Sequence, residues 1–287
     1  MKAVILAAGL GTRFLPITKT FPKETLPLID KPVLQYLVEE VVASGIKEII
    51  FVLSPEKEII KDYFRKNKKL EYFLAKRGKK DFLQEVRKIN HFANFSYLYQ
   101  EKPLGIGDAI LCAEKQIKSQ PFVLFFADDV IVSRIPCLKQ LIKIYQQYQS
   151  TVLAICPVPL KEVSHYGVVK VKKIKKRIYR VLDLIEKPSI KEAPSNLAIV
   201  GRYILEPEIL EILAKMKKPR EREELYLTDA LKILLKEKQI YAYQYQGQWL
   251  SCGNKIGWLR ANIEIGLKHP KIKNDLKKYL IKIKNKI

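Results

Sequence analysis

The residues best suited to chemistry begin with a glycine-rich segment near the amino end, residues 8–13, with the sequence AGLGTR. Two small residues, two glycines and a hydroxyl let a backbone approach a ligand closely, so that successive N–H groups can face phosphate oxygens. Arg13 and, further along, Lys23 add positive charge. The segment therefore predicts a triphosphate-binding loop.

Two familiar phosphate loops do not fit this segment. A Walker A loop needs lysine and then serine or threonine after its second glycine, whereas Gly11 is followed by Thr12 and Arg13. The dinucleotide fingerprint needs a small residue where Phe14 stands, and Pro16 argues against a long helix here. Taken alone, an ordinary glycine-rich turn after a strand remains the other interpretation.

A pair of carboxylates gives a second chemical signal, because Asp128 and Asp129 follow the apolar run 122–126. Such a run is typical of a central strand buried on both faces, and open α/β sheets bind ligands at the carboxyl ends of their strands. Carboxylates suit a hard cation such as Mg²⁺, which is usually shared with substrate phosphates. An aspartate that caps the next segment is the alternative.

Joined together, residues 2–32 resemble the nucleotidyltransferases that make nucleoside-diphosphate sugars. Residues 30–40 (DKPVLQYLVEE) resemble the bacterial UTP–glucose-1-phosphate uridylyltransferases in particular, and the resemblance continues to about residue 267. It implies a Rossmann-like three-layer α/β/α nucleotidyltransferase fold with a mainly parallel mixed central sheet. It also implies that UTP and glucose 1-phosphate react to UDP-glucose and pyrophosphate, with Mg²⁺ as the cofactor.

The resemblance assigns roles to individual positions of this chain. The implied catalytic residues are Arg13, Lys23, Asp128 and Lys187, with Asp128 as the metal ligand. The implied nucleotide-binding residues are Ala8, Gly9, Gly11, Thr12, Arg13, Glu24, Gln100 and Gly105. The implied sugar-phosphate-binding residues are Gly167, Glu186, Lys187 and Gly201. His165 is expected to be a surface residue, and Asp229 is expected near the sugar.

This chain departs from the family's pattern at two places. The family carries Asp-Cys-Gly where this chain has Ser251, Cys252 and Gly253, and that aspartate is the second protein ligand of the magnesium. A neutral hydroxyl supplies no charge, and losing one electrostatic contact costs about 2–4 kcal/mol, or about 30- to 1000-fold in rate. Asp108 stands where these uridylyltransferases usually carry His, which leaves the choice between UTP and dTTP open.

The elements that position these residues follow from hydrophobic periodicity. It predicts strands at 2–6, 47–53, 95–99, 122–126, 151–158, 181–185 and 196–205. It predicts helices at 33–45, 109–116 and 137–149, with Thr228 as the cap of a later helix and a mostly helical region at 55–90. The first strand–helix–strand unit implies a parallel sheet.

The chain of 287 residues suffices for one large domain, predicted over residues 1–267. We expect a nucleotide-binding half at about 1–130, a sugar-binding half at about 131–267, and a basic helix or tail at 268–287. The net charge of +23 raises the question of a nucleic-acid partner, but no basic stretch carries a known nucleic-acid motif. Lysines on solvated faces are the preferred explanation, with residues 170–180 as an exposed hairpin or edge strand.

Four scattered cysteines without a CxxC pair, and the lack of an apolar run of about 18 residues, predict a reduced cytoplasmic protein without a membrane span. The family resemblance further implies a homo-oligomer, either a dimer or a tetramer. Two other functions stay open. Ser251 suggests a weakened paralogue that binds or regulates an active uridylyltransferase, and the basic tail suggests nucleic-acid binding.

Overall fold

The computed structural model describes residues 1–216 and 224–285, and the statements below concern that part of the chain. The last two residues of the predicted tail lie outside it. The strands are β1 (Ala3–Ala7), β2 (Pro27–Leu28), β3 (Lys31–Pro32), β4 (Glu48–Leu53), β5 (Asn94–Tyr99), β6 (Phe122–Phe126), β7 (Asp129–Val132), β8 (Val152–Pro157), β9 (Gly167–Lys175), β10 (Ile178–Glu186), β11 (Leu197–Leu205), β12 (Tyr241–Gln244) and β13 (Gln248–Ser251). The helices are α1 (Val33–Ala43), α2 (Glu58–Phe64), α3 (Lys68–Lys76), α4 (Lys80–Asn90), α5 (Ile106–Cys112), α6 (Glu114–Ile117), α7 (Cys137–Tyr148), α8 (Glu208–Lys215), α9 (Leu227–Glu237), α10 (Lys255–Gly266) and α11 (Lys273–Lys284).

The central sheet has the strand order β5-β4-β1-β6-β11-β8-β12-β10-β9 among the described residues. β5, β4, β1 and β6 are parallel neighbours, as the first strand–helix–strand unit predicts. β8 and β12 are also parallel, whereas β11 and β10 run opposite to their neighbours. β9 pairs with β10 and also with β11, where Val168 lies opposite Ala198. The far half of the sheet therefore closes on itself.

Helices cover both faces of the sheet. Neighbouring residues of β1 point to opposite faces, and each is buried by a different set of helices. Ile5 belongs to a buried cluster with Leu37 of α1, while Val4 belongs to another with Ile110 of α5. The first cluster continues into α7 and α10, and the second into α8 and α9. Each fully buried aliphatic side chain contributes about 1.5–3 kcal/mol. The predicted three-layer fold with its mainly parallel mixed sheet is confirmed.

Most predicted elements are present within a few residues of their expected ends. Residues 170–180 form the hairpin of β9 and β10, with β9 last in the sheet order, and the basic tail forms α11. Two expectations are wrong. Within the mostly helical region 55–90 we expect solvated turns at 66–69 and 76–80, but residues 68–69 already belong to α3. Thr228 does not cap α9, because Tyr226 is the capping residue and the Thr228 hydroxyl donates to Glu186 instead.

None of the helices in residues 1–216 and 224–285 is long and apolar enough to cross a membrane.

Candidate active site

The predicted phosphate loop lies at the carboxyl end of β1. Gly11 adopts a φ of +67°, in the left-handed region that favours glycine, and the Thr18 hydroxyl donates to its carbonyl at 2.9 Å. A single 3-10 turn follows, and buried Phe14 anchors it. This turn brings Arg13 towards Gly253, where an added Cβ would lie 3.8 Å from Arg13 Nη1. The loop and the segment around Gly253 therefore meet at Arg13.

A buried ion pair holds this loop from behind. The Lys57 ammonium donates to the carbonyls of Ala7 and Gly9, each at 2.6 Å, and to Glu24 Oε2 at 2.9 Å. Burial raises the pKa of Glu24 and lowers that of Lys57, while their mutual attraction opposes both shifts. Because a trans peptide directs its N–H opposite to its C=O, the following N–H groups point away from Lys57. The pair thus fixes the loop through its carbonyls and leaves those N–H groups unbonded to Lys57.

A cavity of about 430 Å³, called the nucleotide cavity after its predicted ligand, opens beside the loop. Its lining includes most of the predicted nucleotide-binding residues, namely Ala8, Gly9, Gly11, Thr12, Glu24, Gln100 and Gly105. Lys23 and Asp128 line it as well, whereas Arg13 lies on a neighbouring cavity. Apart from Lys23 and Glu24, which lie in a 3-10 turn before β2, these residues follow β1, β5 and β6 at the usual ligand edge of a parallel sheet. Their roles stay predictions.

The turn after β5 forms one wall of this nucleotide cavity. Gly105 has a φ of +100°, and a Cβ there would lie 2.6 Å from the backbone nitrogen of Leu225. The Gln100 amide nitrogen donates to Gly105 O at 3.0 Å and to Asp108 Oδ2 at 2.8 Å. Asp108, the departure from the family's histidine, therefore holds a predicted base-binding residue.

Asp128 stands where the nucleotide cavity meets a second cavity of about 180 Å³. Lys23 Nζ donates to Asp128 Oδ2 at 2.5 Å. Burial alone would lower the pKa of Lys23 and raise that of Asp128. The attraction between the two charges outweighs burial, so that the pKa of Lys23 is raised and that of Asp128 is lowered. Asp128 is therefore an ionised carboxylate in the wall between two ligand-sized spaces.

Asp129 is held by the protein interior. Its oxygens accept hydrogen bonds from the Trp249 indole at 2.7 Å and from the Gly201 N–H at 3.1 Å. Burial and the Asp128 charge raise the pKa of Asp129 to about 6, although Arg202 opposes this. Fully buried Arg202 donates to the Asp129 carbonyl at 2.6 Å and to Glu40 Oε2. Both oxygens of Asp129 are therefore occupied by protein donors, and the metal-ligand role of Asp128 stays a prediction.

The second cavity is lined by most of the residues that are predicted to bind the sugar phosphate. Gly167, Glu186 and Lys187 line it together with Arg13, His165 and Ser251. Lys187 adopts a φ of +44°, a strained conformation for a residue with a side chain, and its N–H donates to the Tyr166 carbonyl at 3.0 Å. Its side chain is half exposed, and its ammonium group lies 3.8 Å from Glu186 Oε1 and 5.5 Å from the centre of the Tyr226 ring.

Two of the residues predicted on the sugar side, Gly201 and Asp229, do not line this second cavity. A Cβ on Gly201 would lie 2.5 Å from Phe126 Cβ and 2.6 Å from Asp129 Oδ2. The glycine therefore lets β11 approach β6 closely and lets its own N–H reach Asp129.

Ser251 lies beside the two aspartates. It is paired with Asp129 between β13 and β7, and the N–H of the next residue, Cys252, donates to the Asp128 carbonyl at 2.7 Å. A Cβ on Gly253 would lie 2.9 Å from Asp128 Oδ2, so the glycine leaves that oxygen accessible. Across the described residues, no group of three or more His, Cys, Asp or Glu side chains could hold a metal. A cation bound at Asp128 would therefore need further oxygen ligands of another kind, such as a hydroxyl, substrate oxygens or water.

Sequence reasoning missed Lys57, Arg202 and Thr228 as supports of the site. Lys57 follows soon after the predicted strand at 47–53, and that position at the ligand edge was the available signal. Arg202 lies inside an apolar run, where a lone charge indicates a buried partner. Nothing in the local sequence distinguishes the Thr228 hydroxyl from an ordinary helix cap.

Comparison with known proteins gives a consistent result over nearly the whole chain. Residues 2–266 match the family model described as nucleotidyl transferase. A Bacillus subtilis protein named UTP–glucose-1-phosphate uridylyltransferase YngB is 42% identical over 279 residues, with 97% of this chain and 94% of the relative covered. A Streptococcus pneumoniae protein named UTP–glucose-1-phosphate uridylyltransferase is 43% identical, with 98% and 95% covered.

Solved structures give the same picture. A UDP-glucose pyrophosphorylase complexed with UDP-glucose has a TM-score of 0.85 at 41% identity and covers 93% of this chain and 99% of its own. A UTP-bound enzyme from Acinetobacter baumannii has a TM-score of 0.90 at 35% identity, with 98% of each chain covered. The resemblance drawn from the sequence motifs is confirmed.

Proposed function

Because the chain belongs to the nucleotidyl transferase family, we propose that it transfers the uridylyl group of UTP to glucose 1-phosphate, giving UDP-glucose and pyrophosphate. The observation that carries this proposal is the position of Asp128 in the common wall of two cavities. One cavity is lined by the glycine-rich loop, and the other by Glu186 and Lys187. The two substrates would thus meet at this carboxylate.

The residues suit an in-line displacement. An oxygen of the sugar phosphate forms a bond to the α-phosphorus of UTP, and the bond from that phosphorus to pyrophosphate breaks. Both reactants are anionic, so charge and alignment dominate the barrier, and no side-chain nucleophile is needed. Arg13 and Lys23 would stabilise the triphosphate, Lys187 would hold the attacking phosphate, and Glu186 would bind sugar hydroxyls. Thr228 would fix the Glu186 carboxylate by its hydrogen bond.

The donor set fits a Mg²⁺ ion that is shared with substrate. Asp128 would hold it, with the Ser251 hydroxyl as a neutral second contact. When bound, the ion supplies positive charge to the phosphate oxygens around the reacting phosphorus. Lys23 keeps the Asp128 carboxylate ionised and therefore ready for a cation.

The test is pyrophosphate release from UTP, glucose 1-phosphate and Mg²⁺ by the unchanged protein, Ser251→Asp and Asp128→Asn. We expect turnover by the unchanged protein and a loss of about 10²- to 10³-fold in Asp128→Asn, because one charged contact to the reacting phosphates disappears. Ser251→Asp should reach its full rate at a lower Mg²⁺ concentration.

Two outcomes contradict the proposal. If only Ser251→Asp releases pyrophosphate, the chain is a weakened paralogue, and its role is to be sought among binding partners. If none of the three proteins releases pyrophosphate from UTP but the unchanged protein does so from dTTP, the transferred group is thymidylyl instead.

A further inference from the structure

We propose that Asp108 determines which base the nucleotide cavity accepts, by fixing the orientation of the Gln100 amide. Asp108 lies behind Gln100, so it is a positioning residue. The inference rests on the proposed function only in taking this cavity as the site of a nucleoside triphosphate.

The orientation of the Gln100 amide follows from its partners. Its amide group lies within 3.0 Å of Gly105 O and 2.8 Å of Asp108 Oδ2, and both of these atoms are acceptors. A carbonyl and a carboxylate offer no proton, so the reversed amide would set an oxygen against two oxygens. The NH₂ group must therefore face Gly105 and Asp108, and each of its two hydrogens has one partner.

This arrangement leaves the Gln100 side chain with one polar atom for a ligand. Gln100 lines the nucleotide cavity, and only 7% of it is exposed. Because both amide hydrogens are taken, the carbonyl oxygen Oε1 remains, and it can only accept a hydrogen bond. The cavity therefore offers an acceptor to the base at this position.

Pyrimidine bases of nearly equal size differ at the atom that would answer this acceptor. Uracil and thymine carry a hydrogen on N3, whereas N3 of cytosine is itself an acceptor. Cytosine would leave two acceptors facing each other in a buried place, and a site built for a hydrogen bond rejects such an analogue strongly. The fixed amide thus favours UTP and dTTP over CTP.

Asp108 also has an ordinary structural role to be separated from this one. It stands in the first turn of α5, where a carboxylate stabilises the helix through its dipole. A role in the helix alone would lower thermal stability and weaken all nucleotides equally. The ratio of UTP to CTP affinity distinguishes the two roles, because it changes only if the amide is held less firmly, by Gly105 O alone in place of Gly105 O and Asp108 together.

The experiment is calorimetric titration of UTP, dTTP and CTP, without glucose 1-phosphate, into the unchanged protein, Asp108→Asn and Asp108→Ala. Asp81→Ala is the matched control, because Asp81 lies in the first turn of α4, away from the cavity. We expect Asp108→Ala to lose about tenfold or more of the UTP-to-CTP affinity ratio, which corresponds to about 1.4 kcal/mol. Asp108→Asn keeps an acceptor oxygen and should keep the ratio, as should Asp81→Ala.

The inference is overturned if Asp108→Ala binds all three nucleotides with the ratio of the unchanged protein. Pyrophosphate release measured on the same samples separates this failure from that of the proposed function. Turnover with UTP and an unaffected ratio refute the role of Asp108 alone. A ratio that falls without any turnover supports that role and refutes the transferase reaction, whereas an unchanged protein that binds no UTP refutes both.

Discussion

Lys57 is a buried charged residue, with 6% of its surface exposed. All three of its ammonium hydrogens are donated to groups in or beside the predicted phosphate loop. Two of those partners are loop carbonyls, and the third is the carboxylate of Glu24. A buried charge is tolerated here because each of its hydrogens is bonded and an opposite charge lies beside it. Removing the ammonium would free the carbonyls and strand the Glu24 charge.

We therefore predict that Lys57→Met lowers the free energy of unfolding by about 3–5 kcal/mol, since one partner of a buried ion pair is lost. It should also raise the KM for UTP more than that for glucose 1-phosphate. Urea unfolding and steady-state kinetics check these two effects. The double variant Lys57→Met with Glu24→Gln serves as the control and should recover part of the stability. Unaltered stability of the single variant would contradict the prediction.

Thr228 acts on the other cavity through one hydroxyl. We expect Thr228→Val to raise the KM for glucose 1-phosphate by about tenfold, because Glu186 loses a hydrogen bond worth about 1 kcal/mol and its fixed orientation. The KM for UTP should stay constant. Ser189→Ala removes a hydroxyl that bonds exposed Glu192 outside the cavities, and it is the matched control. Equal effects on both substrates would argue against this role.

At the scale of elements, the approach of β11 to β6 depends on Gly201. We predict that Gly201→Ala destabilises the fold by about 1–3 kcal/mol, because its Cβ would overlap Phe126 and Asp129 in a packed core. Gly9→Ala is the control, since its Cβ would meet no atom within 4 Å. Thermal unfolding of both variants checks the prediction, and similar unfolding temperatures would contradict it.

Elements and loops of this protein were predictable where the signal is local. The apolar run 122–126 predicts a strand, and the glycine-rich segment after β1 predicts a loop, each from a few neighbouring residues. The order of the elements then predicts that these segments meet at one edge of the sheet. Contacts between distant segments carry no such signal. Arg202 meets Glu40 across 162 positions, and Lys57 meets Glu24 across 33, so only the assembled sheet reveals them.

At the scale of the whole molecule, the net charge of +23 is spread over the chain and is not gathered into a recognition motif. The basic helix α11 docks on α10, where Leu276 packs over Gly266. We therefore expect no duplex DNA binding at about 0.15 M salt, where nonspecific phosphate contacts are weak. Fluorescence anisotropy with a labelled duplex measures this. Binding that falls steeply with salt and disappears without residues 268–287 would contradict the expectation.

The pairing of β9 with β11 closes one half of the central sheet and thereby affects which strand unfolds locally first. β8, β9, β10, β11 and β12 form a ring of paired strands, so the only free edge of the central sheet within the described residues is β5. A strand with one neighbour separates more readily than a strand with two, and its amides should exchange with deuterium first. β5 leads directly into Gln100. On warming, the ratio of UTP to CTP affinity should therefore fall before the affinity for the sugar phosphate does.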